Sequence, residues 1–270
     1  MPSAKVGDIN MEYYVEGTGP PLLMIMGLGG QAKSWGEPFL DGLRPHFQIV
    51  RFSNRGTGLS DNPGGELTIR LMAEDAAGLL QELGIQRAHV LGISMGGMIA
   101  QELVLNHSQA VQGLALGCTN CGPAHSVPLS AEAVARMGRI GSLPVEERVQ
   151  QFWLVTVTPE FMEADKEFLD DIITAHLATP TPWETFGRQF MAAQLFDTYE
   201  RLSQIDAPTL IIHGDRDVLV PVGNAEVLGK RIEGSQIRIV PGVGHMFFWE
   251  KPEESAGAIV EFLASVPAPA

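Results

Sequence analysis

One serine in this chain stands where a hydroxyl can become a nucleophile. The stretch HVLGISMGGMIAQELV, residues 89–104, carries an apolar run into Gly92-Ile93-Ser94-Met95-Gly96 and leaves it with helical spacing. A strand that enters so tight a bend and exits at once as a helix has the pattern of a nucleophile elbow. Ser94, at the tip, must hold a strained backbone. Side chains two residues to either side would collide with it, so glycine is required at 92 and 96. The bend lifts the hydroxyl above the strand end, beside the first N–H groups of the helix. The partial positive charge there favours an anion forming next to the serine.

A serine hydroxyl stays a weak nucleophile until a base takes its proton. The chain has seven histidines. His213 lies inside the run PTLIIHG and reads as a satisfied core residue. His89 opens a strand, and His107 closes a helix, where a cation has a structural use. His46, His125 and His176 have no distinctive setting. His245 differs, because it sits in PGVGHMFFWEKP between a strand and a helix. Gly242 and Gly244 let that loop turn back towards the strand ends, where the sites of α/β sheets collect. Such a base needs a carboxylate to fix its tautomer and stabilise its cation. HGDRDVLVP offers Asp215 and Asp217 just past a strand, with Asp215 also suited to capping the turn.

Attack by the serine creates an oxyanion, for which one aimed backbone N–H is worth about 3 kcal/mol. The Met95 N–H is one expected donor. The glycine-rich MGLGG (26–30) is loose enough to present a second, and Leu28 is the expected residue. Met26, Trp35, Val218, Leu219, Met246 and Phe247 are expected to line an apolar pocket around these groups. No cation is evidently placed to hold a carboxylate, and Arg188 and Arg201 read as surface ion-pair partners.

The elements that must position these residues are short apolar runs ending in turn residues: 22–27, 47–54, 88–94, 111–117, 208–214 and 236–242. Most lack alternation, as strands buried on both faces do. INMEYYVEG alternates and reads as an antiparallel edge strand. Helical patterns cover 69–83, 95–106, 224–232 and 253–263. The fold class is therefore α/β, with a doubly wound, mostly parallel sheet. From about 120 to 206 no strand is evident, prolines punctuate helical patterns and aromatics cluster. This divides the chain into a core of 1–119 and 206–270 and a helical cap of 120–205. The final PAPA is expected to fray.

MGLGG, RGTGLSD, GISMGG, GDRDVLVP and GVGHMFFWEKP, in this order over nearly the whole chain, resemble the α/β-hydrolase fold superfamily with a helical cap. Within it the chain is most similar to carboxylesterases, enol-lactone hydrolases, polyketide methylesterases and the cofactor-free haloperoxidase-like group. The resemblance implies Ser94 as nucleophile, His245 as base, Asp217 as acid, and Leu28 and Met95 as oxyanion donors. It implies hydrolysis of a small to medium apolar ester or lactone through an acyl-enzyme, with no cofactor and no metal. The alternatives are perhydrolysis of the haloperoxidase-like kind on the same triad, and a non-catalytic ligand-binding protein. A dehalogenase would carry aspartate in place of Ser94. Two departures stand out. Met26 replaces a histidine, and Ser53 replaces an aspartate two residues before Arg55, which leaves Arg55 without its usual near carboxylate.

Acids outnumber bases 32 to 18 for a net charge of −14, which argues against nucleic acid and anionic membrane surfaces as partners. A small-molecule ester is the expected partner, and a homo-oligomer is compatible with this composition. The N-terminus has no apolar signal core and no stretch is long enough to span a bilayer, so a cytoplasmic location is expected. Cys118 and Cys121 form a lone C-x-x-C without the second pair of a structural zinc site, and read as reduced, incidental thiols.

Overall fold

The apolar runs become strands of one sheet in a computed structural model that describes residues 2–267. The chain starts with β1 (Ser3–Val6), β2 (Ile9–Gly17) and β3 (Pro21–Ile25), then α1 (Glu37–Leu43) and β4 (Gln48–Phe52). Next come α2 (Ile69–Glu82), β5 (Ala88–Ile93), α3 (Met95–Asn106) and β6 (Val111–Gly117). The sheet order is β1-β2-β4-β3-β5-β6, continued by β7 (Thr209–Gly214) and β8 (Gln236–Val240). From β4 onward all neighbours are parallel, while β1, β2 and β4 pair antiparallel. INMEYYVEG is thus antiparallel but not the edge. SAKV, too short to read from pattern, takes the edge position against it.

β3, β5 and β7 are buried almost throughout because each face carries its own apolar layer. One layer is built on α2, α3 and α9 (Gly223–Arg231). The other is built on α1, the short α10 (Phe247–Glu250) and α11 (Pro252–Ser265). Helix starts follow local chemistry, as where the Thr68 hydroxyl accepts from Leu71 N at 3.0 Å ahead of α2. α3 is apolar on nearly every side and is buried from Met95 to Val104, so it packs as a core helix directly behind Ser94.

Between β6 and β7 the chain forms α4 (Ala131–Gly141), α5 (Val145–Leu154), α6 (Pro159–Ala164), α7 (Lys166–Leu177) and α8 (Trp183–Gln194), then a 3-10 turn at Tyr199–Gln204. No strand lies in this stretch among the described residues. The last three residues of the PAPA tail fall outside the described residues. No described helix is long and apolar enough to cross a membrane.

Candidate active site

β5 ends at Ile93 and α3 begins at Met95, so the whole reversal falls on Ser94, which sits at φ 57° and ψ −123°. A left-handed non-glycine residue of this kind stores about 1–3 kcal/mol of strain and persists only where its surroundings fix it. Here Ser94 N donates to Gly117 O on β6 at 2.8 Å, and Thr119 Oγ1 donates to Ser94 O at 2.7 Å. The flanking glycines are needed for reasons that differ from the expected collision with the serine. A Cβ on Gly92 would strike the Gly96 carbonyl, and a Cβ on Gly96 would strike the Ile25 carbonyl of β3.

His245 lies in the loop after β8, and Asp217 lies in the loop after β7. His245 Nδ1 is 2.7 Å from Asp217 Oδ2, and both side chains are buried. Asp217 Oδ1 accepts from Leu219 N at 2.8 Å and Val220 N at 2.9 Å. Burial alone would raise the Asp217 pKa, but the imidazole of His245 and the hydrogen bonds of His213 and His245 hold it well below the usual carboxylate range. An ionised Asp217 requires the proton on Nδ1 of His245, which leaves Nε2 free to accept. Of the two aspartates left open by the sequence, Asp215 ties the turn instead, accepting from Gly242 N at 2.6 Å.

His213 is more than a core residue. Its Nε2 donates to Val220 O at 2.7 Å and lies 3.2 Å from Asp217 Oδ2, so two imidazoles flank one carboxylate. Other supports were equally out of reach of the sequence. Glu250 Oε1 accepts from Gly244 N at 2.7 Å and from Thr158 N at 3.2 Å, clamping the His245 loop to the start of α6. Met246 N donates to Thr156 O at 2.9 Å. Cys118 is not incidental either, since its Sγ donates to the His245 carbonyl at 2.8 Å. Cys118 Sγ, Asp217 and His245 place possible metal-ligand atoms within 4.8 Å of one another. Burial pushes the Cys118 thiol up, however, and its proton and the other two groups are already engaged.

The glycine-rich loop 26–30 passes close to the serine: a Cβ on Gly27 would lie 2.9 Å from Ser94 Cβ and 3.4 Å from its Oγ. Asn54 Nδ2 holds Met26 O at 2.9 Å, and Gln189 Oε1 of α8 holds Gly29 N at 2.9 Å. The Leu28 N–H has no acceptor among the described residues. The Met95 N–H heads α3, where no intrahelical acceptor exists.

Ser94, His245, Leu28 and Met95 share one cavity of about 520 Å³. The Ser94 hydroxyl makes no hydrogen bond to His245 there, so the two face the same space without being joined. Hydrogen bonds at such sites often tighten only once substrate is bound. Met26, Leu219 and Met246 line the cavity as expected, together with Met137 and Ile140 of α4, Phe152 and Trp153 of α5, and Trp183 and Phe186 of α8. Trp35, Val218 and Phe247 do not. Trp35 is fully buried, with Phe39 and Phe248 at ring distances of 6.2 and 5.3 Å. Val218 is 42% exposed, and Phe247 packs under β6 against Phe248. A residue's neighbours in sequence do not fix which way its side chain leaves a loop.

Arg55 has carboxylates after all. It pairs with Asp75 at 2.7 Å and Asp8 at 2.9 Å. Ser53, in the aspartate's place, instead bridges Glu12 Oε2 at 2.7 Å and Ala32 N at 3.0 Å. Arg201 pairs with Glu102, and Arg188 binds Asn62 Oδ1 at 3.0 Å, so neither points into the cavity.

The profile of the Alpha/beta hydrolase family matches residues 22–258. A protein of Azorhizobium caulinodans, provisionally named carbamate hydrolase RutD, is 29% identical over 94% of each chain. Another, from Mycobacterium tuberculosis and provisionally named non-heme bromoperoxidase BpoC, is 28% identical over 96% of this chain and all of its own. The crystal structure of the enol-lactonase from Burkholderia xenovorans LB400 superimposes with a TM-score of 0.86 at 24% identity. It covers 98% of this chain and 100% of that one, a likeness of fold.

Proposed function

We propose, for a chain that belongs to the alpha/beta hydrolase family, that Ser94, His245 and Asp217 hydrolyse a neutral carboxylic ester or lactone with an apolar acyl part. The observation that carries this reading is the 2.7 Å His245–Asp217 contact in the wall of the cavity that Ser94 also faces. With its Nδ1 proton held by Asp217, His245 takes the Ser94 proton on Nε2 as Oγ bonds to the carbonyl carbon. The Leu28 and Met95 N–H groups receive the oxyanion. The alkoxide leaves with the proton from His245, forming an acyl-enzyme. Water then gives a proton to the same nitrogen, attacks the acyl carbon and releases the acid, restoring Ser94. The apolar wall suits an uncharged acyl chain.

Hydrolysis of a p-nitrophenyl ester by purified protein, with Ser94→Ala alongside, tests this. The variant should lose several orders of magnitude in rate with its fold intact. Near-wild-type turnover by Ser94→Ala would end the proposal. A fluorophosphonate that labels Ser94 separates this reading from a ligand-binding protein whose serine is unactivated.

The relative named as a bromoperoxidase favours perhydrolysis as a second reading, in which peroxide replaces water at the acyl-enzyme. Bromination of monochlorodimedone in acetate and peroxide would reveal it. The relative named as a carbamate hydrolase suggests that a carbamate carbonyl belongs in the same assay panel.

A further inference from the structure

The cavity wall contains no Asp, Glu, Lys or Arg among the described residues; its polar side chains are Ser94, Asn120, Thr156, Gln194 and His245, beside the indole N–H groups of Trp153 and Trp183. Ser94 and His245 are committed to the chemistry proposed above. The Thr156 hydroxyl is spent on Trp153 O at 2.6 Å, and Gln194 is exposed. Asn120, three residues past the end of β6, is the remaining amide of the wall and the one with a fixed orientation.

Asn120 is held rigidly. Its backbone carbonyl accepts from Gln101 Nε2 of α3 at 3.0 Å, and Gln101 is itself tied to Gly97 O at 3.1 Å and Thr198 Oγ1 at 2.7 Å. The Asn120 Oδ1 accepts from Gly122 N at 2.9 Å. Only an oxygen can face that N–H, so the orientation of the amide is fixed and its NH2 group points the other way. Nδ2 has no acceptor among the described residues. The preceding residue, Thr119, bonds the Ser94 carbonyl at 2.7 Å, which places Asn120 beside the serine's own turn.

Asn120 belongs to the wall of a mostly apolar cavity, and a fixed pair of N–H donors there would discriminate between ligands. A plain alkyl chain would leave these donors unpaired, whereas a chain bearing an oxygen at that place would pair them. Resting on the serine hydrolase reading, we propose that the substrate is a neutral, apolar acyl ester carrying one uncharged oxygen near the scissile carbonyl, an oxo or hydroxy group seated on the Asn120 amide. A carboxylate elsewhere on the chain has no cation to meet and is disfavoured.

The test compares ethyl 3-oxooctanoate, ethyl 3-hydroxyoctanoate, ethyl octanoate and monoethyl suberate in a pH-stat. Wild type should prefer one of the oxygenated esters over ethyl octanoate by about tenfold in kcat/KM, with the suberate half-ester slowest. In Asn120→Asp, which keeps the acceptor for Gly122 N but cannot donate, and in Asn120→Leu, the ratio of the 3-oxo to the plain ester should fall to near one, since a ketone oxygen can only accept. Equal rates for oxygenated and plain esters in a wild-type protein whose Ser94 reacts with a fluorophosphonate overturn the Asn120 seat and leave the hydrolase reading standing. So does an equal slowing of both esters in the two variants, since Asn120 would then serve the oxyanion or the attacking water. A protein that neither labels nor hydrolyses any ester overturns both.

Discussion

Asp217→Asn changes one atom and reverses a hydrogen-bond polarity. In the native site the carboxylate takes four donors: Leu219 N at 2.8 Å and Val220 N at 2.9 Å on Oδ1, and His245 Nδ1 at 2.7 Å and His213 Nε2 at 3.2 Å on Oδ2. The asparagine oxygen would keep the two backbone donors, because they cannot accept. Its NH2 group must then face both imidazoles. His213 cannot yield, since its Nε2 proton is held by Val220 O at 2.7 Å. His245 would yield instead, placing its lone pair on Nδ1 and its proton on Nε2, the nitrogen that must accept from Ser94. The wrong tautomer costs about 10⁴-fold in turnover in a comparable triad, about 5.5 kcal/mol of barrier. The donor-to-donor clash with His213 should lower stability by a further 1–3 kcal/mol or thereabouts. Steady-state hydrolysis of a p-nitrophenyl ester at pH 8, with urea unfolding of both proteins, measures the two effects. If Asp217→Asn retains more than about a tenth of wild-type kcat/KM, the assigned tautomer is wrong and His245 is not oriented by Asp217.

Gly96→Ala pushes a methyl into the Ile25 carbonyl, so it should destabilise the fold by at least about 2 kcal/mol and disturb the elbow, read as a lower urea midpoint with reduced fluorophosphonate labelling. Burial drops the His176 pKa from 6.5 to about 4, so the unfolded chain binds a proton between these values that the folded protein refuses. Its contribution to stability is therefore complete above pH 6.5 and declines as the pH falls towards 4. His176→Phe keeps a ring against Trp153 and should reduce the loss of stability between pH 7.5 and 4.5 by about 2–3 kcal/mol, measured by urea titration at both values; an unchanged loss would show that His176 is protonated in the folded state.

What the sequence made legible was local. The elbow reads directly because Gly92, Ser94 and Gly96 fall within one turn, between an apolar strand and a run of good helix formers. The loops bearing Asp217 and His245 read because each follows a strand-length run that ends in glycine. What stayed hidden depends on contacts between distant segments. Asp75 and Asp8 reach Arg55 from 20 and 47 positions away, and no local pattern announces them. His213 looked like core because its strand is core, yet β7 aims it at Asp217 four residues on. Phe247 sits two positions after His245, where α10 turns it beneath the sheet instead of into the cavity. Asn120 carried no signal of its own: its meaning comes from Gly122 fixing one end of the amide and from no acceptor meeting the other among the described residues.

The groups proposed to make and break bonds all sit on loops of the sheet, while α4, α5 and α8 supply much of the remaining wall. The two stretches are joined where Gln189 of α8 holds Gly29 N and where Thr156 and Thr158 hold the His245 loop. Variation at wall residues of 129–194 that spares those three would be expected to alter which molecules fit while leaving the proposed reacting atoms in place.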